Sequence, residues 1–369
     1  MKILYVTTIS PTINAFFKPH IQMLINEGHS VDLACNYQDT PLDEFYSRLG
    51  CNFHQIDFSR SPLSSSNLRA YGQLKQLIKV SNYDIVHCHT PNAAAITRLV
   101  CRKFRKKNGL KVFYTAHGFH FYKGAPLKNW LLYYPVEKIC SHFTDLILTM
   151  NLEDYTLAQK KMKAKSVAYV HGVGIDLSRF DVEADENVKR QEIGVPENAV
   201  VLISVGELIE RKNHKVVLKA LSEINDDNIH YVIVGKGPLH QELEEYARTL
   251  NIAGKVHFLG YRKDVPELYK AADVCCFPSI HEGLPVALME AMACGLPVVC
   301  SKIRGNTDLV NDEYSGFLVD TNDIKGYVTA IAKISADKLM QKDFGEKNKQ
   351  KVRDFSLDIV LEEMKKLYE

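Results

Sequence analysis

The chain has 369 residues, a formal net charge of +2 and 24% charged residues, which is the composition of a globular protein long enough for two domains. The near-neutral balance excludes bulk nucleic-acid binding. No apolar run approaches the roughly 18 residues of a membrane span, so any membrane contact is expected to be peripheral. Nine cysteines are scattered without a C-x-x-C pair, a usage that predicts reduced thiols and a cytoplasmic protein.

Met1 to Val6 reads as a strand rather than a secretion signal, because Thr7, Thr8 and Ser10 break the apolar run early. The buried strand spans residues 2–7, Thr8 to Asn14 reads as a loop, and Phe16 to Glu27 as a helix ended by Gly28. Strand patterns follow at 30–35, 52–56, 84–88, 110–115 and 144–149, with helices between them. This alternation predicts a parallel sheet covered on both faces, with ligands at the carboxyl ends of strands. Those ends carry Thr7–Asn14, His87–Asn92 and Thr115–Lys123.

The pattern breaks at His171-Gly172-Val173-Gly174-Ile175-Asp176 and the polar stretch Asp181 to Arg190, which read as a hinge or linker. Strands resume at 200–205, 229–234, 255–259, 273–277, 297–300 and 316–319, with helices at Pro238–Leu250 and Asp264–Ala272. From Ile324 onward the chain reads as helical.

The segment from Cys276 to Gly305 carries the most chemistry. A strand ends at Pro278, a polar loop holds Glu282, a helix opens near Pro285 and closes at Gly295, and a further strand follows. Amides of Gly283, Leu284 and Val286 lie at or near the helix start, where they lack intrahelical partners and favour an anion such as phosphate. Gly283 allows close approach to its backbone. Glu282 and Glu290 would repel an anion, but each can accept hydrogen bonds from neutral hydroxyls. Hydroxyls on both sides of a phosphate describe a sugar nucleotide. A helix with one capping and one exposed glutamate is the competing reading.

The run E-G-L-P-V-A-L-M-E-A-M-A-C-G-L-P-V resembles the signature of the family 4 retaining glycosyltransferases. That resemblance implies an α/β chain of the GT-B class, with two Rossmann-like domains whose parallel sheets face a central cleft. It implies an acceptor-binding domain at 1–172 with a returning C-terminal helix from about 352 to 369, and a nucleotide-sugar domain at 173–351. By the same resemblance Glu282 contacts the donor sugar, Glu290 binds the ribose, and the Gly283–Val286 backbone, through Leu284 and Pro285, holds the diphosphate.

Other positions are carried over in the same way. Gly206 opens the loop after the first strand of the second domain, and Lys212 stands at the family's lysine position. Glu207 stands where an arginine is usual, so Arg211 becomes the candidate substitute. A donor diphosphate carries about two negative charges, more than a helix terminus of about +0.5 offsets, so a nearby cation is required. The Gly235 turn is placed near the donor, Tyr261 and Arg262 near the base, and Arg304–Asn306 at the floor of the cleft. His117, in Thr115-Ala116-His117-Gly118, is placed near the reacting centre as a catalytic residue with Glu282 and Lys212.

Thr8, Asn14, His89, Asn92 and His120 are candidates for the acceptor side. Strand alternation puts His87 and His89 on one face with Cys88 opposite, so the tripeptide cannot close around zinc. No Asp-x-Asp occurs, and neither a metal nor another cofactor is expected. The basic run Arg98 to Lys107 and the aromatic run Phe119 to Tyr134 suggest a peripheral dock on the inner face of an anionic membrane.

The expected activity is hexosyl or N-acetylhexosaminyl transfer from a nucleotide-diphosphate donor to a hydroxyl of a lipid-linked or oligosaccharide acceptor, with the configuration retained. The resemblance favours a UDP-sugar and enzymes of capsule or exopolysaccharide synthesis. A sugar-nucleotide epimerase of the same architecture would convert donor without acceptor. A non-catalytic assembly partner would bind UDP without turnover.

Overall fold

The first strand pattern forms the middle of a seven-stranded parallel sheet. The computed structural model describes residues 1–369 apart from the side chains of Lys107 and Asn108, so the Lys107 charge counted in the basic run lies outside the described residues. Contacts divide the chain into two units, Met1–Val173 with Asp358–Glu369, and Gly174–Leu357.

The strands of the first unit are β1 (Lys2–Ile9), β2 (Ser30–Asn36), β3 (Asn52–Gln55), β4 (Ile85–His89), β5 (Lys111–Ala116), β6 (Leu146–Thr149) and β7 (Ser166–Tyr169). Its first seven helices are α1 (Ser10–Phe16), α2 (Lys18–Asn26), α3 (Glu44–Arg48), α4 (Ser66–Val80), α5 (Pro91–Asn108), α6 (Leu127–Ser141) and α7 (Leu152–Lys161). The sheet order is β3-β2-β1-β4-β5-β6-β7. Winding reverses between β1 and β4, so a crevice opens beyond Ile9 and His89, at the carboxyl ends of those strands. Both strands are buried along almost their whole length, polar His87 and His89 included, because helices cover both faces of a parallel sheet.

The second unit contains β8 (Val200–Val205), β9 (Ile229–Val234), β10 (Val256–Gly260), β11 (Val274–Phe277), β12 (Val298–Ser301) and β13 (Gly316–Val319). Its helices begin with α8 (Glu186–Glu192), α9 (His214–Glu223), α10 (His240–Thr249), α11 (Val265–Lys270) and α12 (Val286–Ala293). They continue with α13 (Asn306–Leu309), α14 (Ile324–Ala336) and α15 (Lys338–Val352). All strands are parallel in the order β10-β9-β8-β11-β12-β13. The reversal lies between β8 and β11, so Gly206 and the loop after Phe277 emerge together.

The last helix, α16 (Leu357–Tyr368), returns to the first unit. Val360, Met364 and Tyr368 recur every four residues and are buried, the spacing of one helical face. Tyr368 donates to the Tyr5 hydroxyl at 3.0 Å and meets Nδ1 of His87. Glu363 holds His171 at 2.6 Å. Within the second unit, Ile175 bridges Ser356, which joins the start of that unit to its end.

Three expectations need correction. Thr8 to Asn14 is not a loop: β1 runs to Ile9, and Ser10 opens α1 with Pro11 in its first turn, where a missing N–H costs nothing. The polar run 181–190 is partly helix, because Asp185 caps the amides of Asn187 and Val188. Arg190 from that helix is buried and pairs with Asp273 at 2.9 Å. Strand β7 was not expected; its four residues pair only with β6, are half-exposed and follow Lys163 and Lys165. An edge strand of this kind lacks the apolar run of a central one.

Candidate functional site

The carboxyl end of the second sheet brings together most residues singled out there. Between β8 and α9, Glu210–Lys212 forms one 3-10 turn, and Ile280 N donates to the Arg211 carbonyl at 2.8 Å. This contact ties the turn to the loop before α12. Lys212 Nζ donates to Glu282 Oε1 at 2.7 Å and lies 4.8 Å from the Phe277 ring centroid. Arg211 Nη1 donates to the same carboxylate oxygen at 2.5 Å and to the His281 carbonyl at 3.0 Å. One carboxylate therefore gathers two cations beside the start of α12. Arg211 stands in this group, whereas Glu207 points to solvent as an exposed residue.

Glycines here make room rather than bind by themselves. A Cβ on Gly206 would sit 3.3 Å from Cε of Lys212, so the missing side chain leaves space for the lysine stem. Gly235 has φ 149° and a Cβ there would fall 1.8 Å from the Gly206 carbonyl oxygen. That turn tolerates glycine alone, and it shapes the floor under Gly206.

The loop Gly283-Leu284-Pro285 is held from below by the segment after β12. The buried Arg304 donates through Nε to the Glu282 carbonyl at 3.1 Å and meets Nε2 of His281 at 2.6 Å. A Cβ on Gly305 would lie 2.3 Å from the Gly283 carbonyl oxygen. Arg304 and Gly305 thus fix the height and direction of the amides that precede α12. At the first turn of α12 the amides of Val286, Ala287 and Leu288 have no intrahelical acceptor, which is the property that draws an anion.

Glu290 lies one turn inside α12 and is half-buried. Burial pushes its carboxyl up to about 7, and the Arg179 charge only partly opposes that shift. Such a group is half-ionised near neutrality and well suited to answer an incoming hydroxyl pair.

Two residues proposed for the base are placed differently from each other. Tyr261 is 66% exposed at the end of β10 and free to cover a planar ligand. Arg262 is engaged with Asp264 at 2.7 Å and Glu192 at 2.5 Å, in a network that also contains Lys189. The structure thus puts Arg262 to work joining the loop after β10 to α8.

In the first unit, the ends of β1, β4 and β5 assemble a ring cluster. His87 and His89 share one face with ring centroids 4.2 Å apart, while Cys88 faces away and contacts the Phe113 carbonyl. His89 Nδ1 and His117 Nε2 are 3.2 Å apart, and Phe17 packs on both rings. His87 Nε2 bonds Thr115 Oγ1 at 2.7 Å, and His20 donates to the Val173 carbonyl at 2.8 Å. Burial lowers His87 to about 3 and His117 to about 4, and takes His89 well below its ordinary value. All three are neutral near pH 7, so His117 can exchange hydrogen bonds but carries no charge. Among the described residues no group of three or more His, Cys, Asp or Glu side chains is arranged to hold a metal.

A cavity of about 280 Å³ lies beside this cluster, lined by Thr8, Thr12, Arg60, Thr90, Asn92, His120 and Tyr133 among others. Thr8 is fastened to Thr90 by both its amide and its hydroxyl, at 3.0 and 2.8 Å. Thr90 holds φ 62°, a left-handed backbone uncommon for threonine, at the mouth of the cavity. Asn92 donates to the carbonyls of Ser59 and Arg60, and His120 packs on Tyr133 at 4.5 Å. Three of the acceptor-side candidates, Thr8, Asn92 and His120, thus share one cavity. Asn14 does not line it; it links the Pro41 carbonyl and the Asp43 amide. His89 lies buried beneath. The sequence reading missed Arg60, and it placed Tyr133 only in the aromatic run Phe119 to Tyr134, not on this cavity. Arg60 follows shortly after β3, so the carboxyl-end rule could have found it, whereas Tyr133 arrives from α6 and its place beside β1 and β4 depends on long-range packing.

The profile "Glycosyl transferases group 1" matches residues 185–351, and "Glycosyl transferase 4-like" matches residues 2–151. EpsD of Bacillus subtilis is 34% identical over all of this chain and 96% of its own length. An Escherichia coli UDP-Gal:alpha-D-GlcNAc-diphosphoundecaprenol alpha-1,3-galactosyltransferase is 29% identical, covering 86% of this chain and 83% of that one. Among solved structures, Anabaena HepE crystallised with UDP superposes with a TM-score of 0.81 at 19% identity, covering 100% of this chain and 99% of that one. This last likeness shows the fold. The matched profiles, the full-length similarity and the two parallel-sheet units together mean that the chain belongs to the Glycosyl transferases group 1 family, as a GT-B glycosyltransferase related to enzymes of bacterial surface-polysaccharide and lipopolysaccharide biosynthesis.

Proposed function

We propose that the protein transfers a sugar from a UDP-sugar to a hydroxyl of a polyprenyl-diphosphate-linked or oligosaccharide acceptor, with retention and without a metal ion. The observation that carries this reading is the convergence of Lys212, Arg211, Glu282 and the start of α12 at the reversal point of the second sheet. The donor diphosphate lies against the Gly283–Val286 backbone. Lys212 and Arg211 turn from Glu282 toward it, supplying two positive charges to about two negative ones. Released from them, Glu282 accepts hydrogen bonds from the transferred sugar, and Glu290 accepts them from the ribose.

Charge develops on the leaving phosphate as the glycosidic bond breaks. Preoriented amides and Lys212 stabilise it, and the same phosphate oxygen takes the acceptor proton on the face from which it departs. His117, held neutral, offers a hydrogen bond to the donor sugar. The UDP preference and the lipid-linked acceptor follow the named substrates of the Escherichia coli relative. A Campylobacter jejuni relative, 24% identical over the whole chain, also carries a diphospho-undecaprenol acceptor in its name. Arg60, exposed on the first-unit cavity, is the cation for an acceptor phosphate. The protein works in the cytoplasm, peripherally on the inner membrane face.

The test is product analysis with UDP-sugars, with and without a polyprenyl-diphosphate sugar. Acceptor-dependent formation of an α-linked product, unaffected by EDTA, is expected. Conversion of donor without acceptor, or activity lost to EDTA and restored by manganese, would overturn it.

A further inference from the structure

Helix α6 leaves an apolar face uncovered. Its inner face is buried through Glu137, Cys140 and Ser141. Its outer face shows Leu127 at 72%, Leu131 at 67%, Leu132 at 65%, Val136 at 44% and Ile139 at 56% exposure. Leu131, Pro135 and Ile139, with Leu132 and Val136, follow the i, i+4 spacing of one continuous stripe. Contiguous exposed apolar surface of this kind marks an interaction site rather than ordinary scatter.

The flank of the same helix opens into a cavity of about 780 Å³, within the 300–1,000 Å³ common for ligand sites. Trp130, Tyr134 and Leu157 form apolar walls, and Lys123, Lys160 and Lys161 stand on the rim with a single acid, Glu153. Lys138 from α6 donates to the Lys161 carbonyl, which binds α6 to α7 beside the cavity. Exposed Lys128 sits on the stripe itself. The stripe and the rim of this cavity are therefore apolar within and positive around.

The structure also removes part of the basic surface expected from sequence. Arg98 is fully buried, paired to both oxygens of Glu137 at 2.8 and 3.0 Å and stacked over Tyr114. Arg105 is bound to Asp145. The basic run on α5 thus contributes chiefly Arg102, Lys103 and Lys106 to solvent.

We propose that α6 and the cavity beside it form a docking site for an anionic lipid bilayer. The Leu131–Ile139 stripe enters the acyl layer, an acyl chain occupies the Trp130–Tyr134 cavity, and Lys123, Lys128, Lys160 and Lys161 meet lipid phosphates. Each such lysine strengthens attachment to an anionic surface, and an apolar helical face in the interface plane adds to it. A second copy of the chain on this stripe would bring like-charged lysine rims together, which disfavours self-association. The inference deepens the membrane-side part of the function reading. Its test needs neither donor nor acceptor, so its failure leaves the transfer reaction untouched.

Trp130 is the only tryptophan, so its fluorescence reports on this cavity directly. Full-length protein is mixed with vesicles of phosphatidylcholine alone, or with phosphatidylglycerol, some carrying brominated acyl chains. Co-sedimentation with the anionic vesicles, a blue shift and bromine quenching of Trp130 are expected. The double substitution Leu131→Glu/Ile139→Glu weakens partitioning at least tenfold, and Lys160→Glu/Lys161→Glu removes the preference for phosphatidylglycerol. Both variants keep their UDP affinity and melting temperature, because these side chains are exposed. Binding without bromine quenching, equal binding to neutral vesicles, or a dimer that Leu131→Glu dissolves would each overturn the proposal.

Discussion

Lys212 and Arg211 share one carboxylate oxygen of Glu282, and that shared contact keeps two cations oriented before donor arrives. Replacing Lys212 by Ala removes a charge-assisted contact to a diphosphate, worth about 1.5–3 kcal/mol. UDP affinity falls about 10- to 100-fold by titration calorimetry; an unchanged constant would refute the assignment. Arg60→Ala raises the KM for a phosphate-bearing acceptor while leaving UDP affinity alone, a split that steady-state kinetics reads directly. Glu290 titrates near 7 because burial disfavours its charge. Hydroxyl donors from ribose favour the ionised form, so donor binding expels a proton below pH 7 and tightens as pH rises through that value. The free protein runs the other way. A carboxyl raised from about 4.5 contributes stability below that pH and loses it as pH rises through 7. Glu290→Gln is therefore expected to raise the melting temperature at pH 8 while weakening UDP binding.

At the scale of elements, legibility followed the local pattern. The loop and helix from Glu282 to Gly295 could be read because apolar strand, proline, helix and glycine follow each other within one short segment. The strands at 200–205 and 229–234 were legible because buried parallel strands are nearly pure apolar runs. What the sequence hid depends on partners distant in the chain. Arg98 looks like a surface charge until Glu137 and Tyr114 pack around it, and Arg262 looks available until Glu192 and Asp264 bind it. Helix α1 was hidden because Thr7, Thr8, Ser10 and Pro11 resemble a loop, although proline in a first turn is compatible with a helix. The loop before α12 rests on Gly305, whose φ of 79° and close approach to Gly283 leave no room for a side chain. Gly305→Ala is expected to displace the Gly283 carbonyl and weaken UDP binding more than tenfold, with circular dichroism unchanged. Retained affinity would show that the loop finds its position without this support. The buried histidines make a parallel case in the first unit. His87 and His117 stay neutral to about 3 and 4 when folded but protonate near 6.5 when unfolded, so stability drains away as pH falls from 6.5 toward 4. Chemical denaturation at pH 7 and pH 5 measures the loss.

Across the whole molecule, the same winding is used twice, and each sheet gathers its candidate residues beyond the carboxyl ends of its strands, centred on the pair where its order reverses. The parallel sheets were legible as alternation, whereas the reversal points were not, since strand order is a matter of long-range pairing. The two units carry separate tasks in this account. Hydrogen exchange with UDP should therefore protect amides around Gly206–Lys212 and Gly283–Leu288 in the second unit. A soluble acceptor analogue should protect Thr8–Thr12 and Thr90–Asn92 in the first. Protection by UDP confined to the first unit would reverse the assignment. The central claim concerns one place, the backbone entering α12 with Glu282 on one side and Glu290 on the other. A crystal structure with an unhydrolysable UDP-sugar tests it most directly. The account predicts the diphosphate on the Gly283 and Leu284 amides with Lys212 beside it, the ribose on Glu290 and the sugar on Glu282; a donor bound at any other strand end would contradict it.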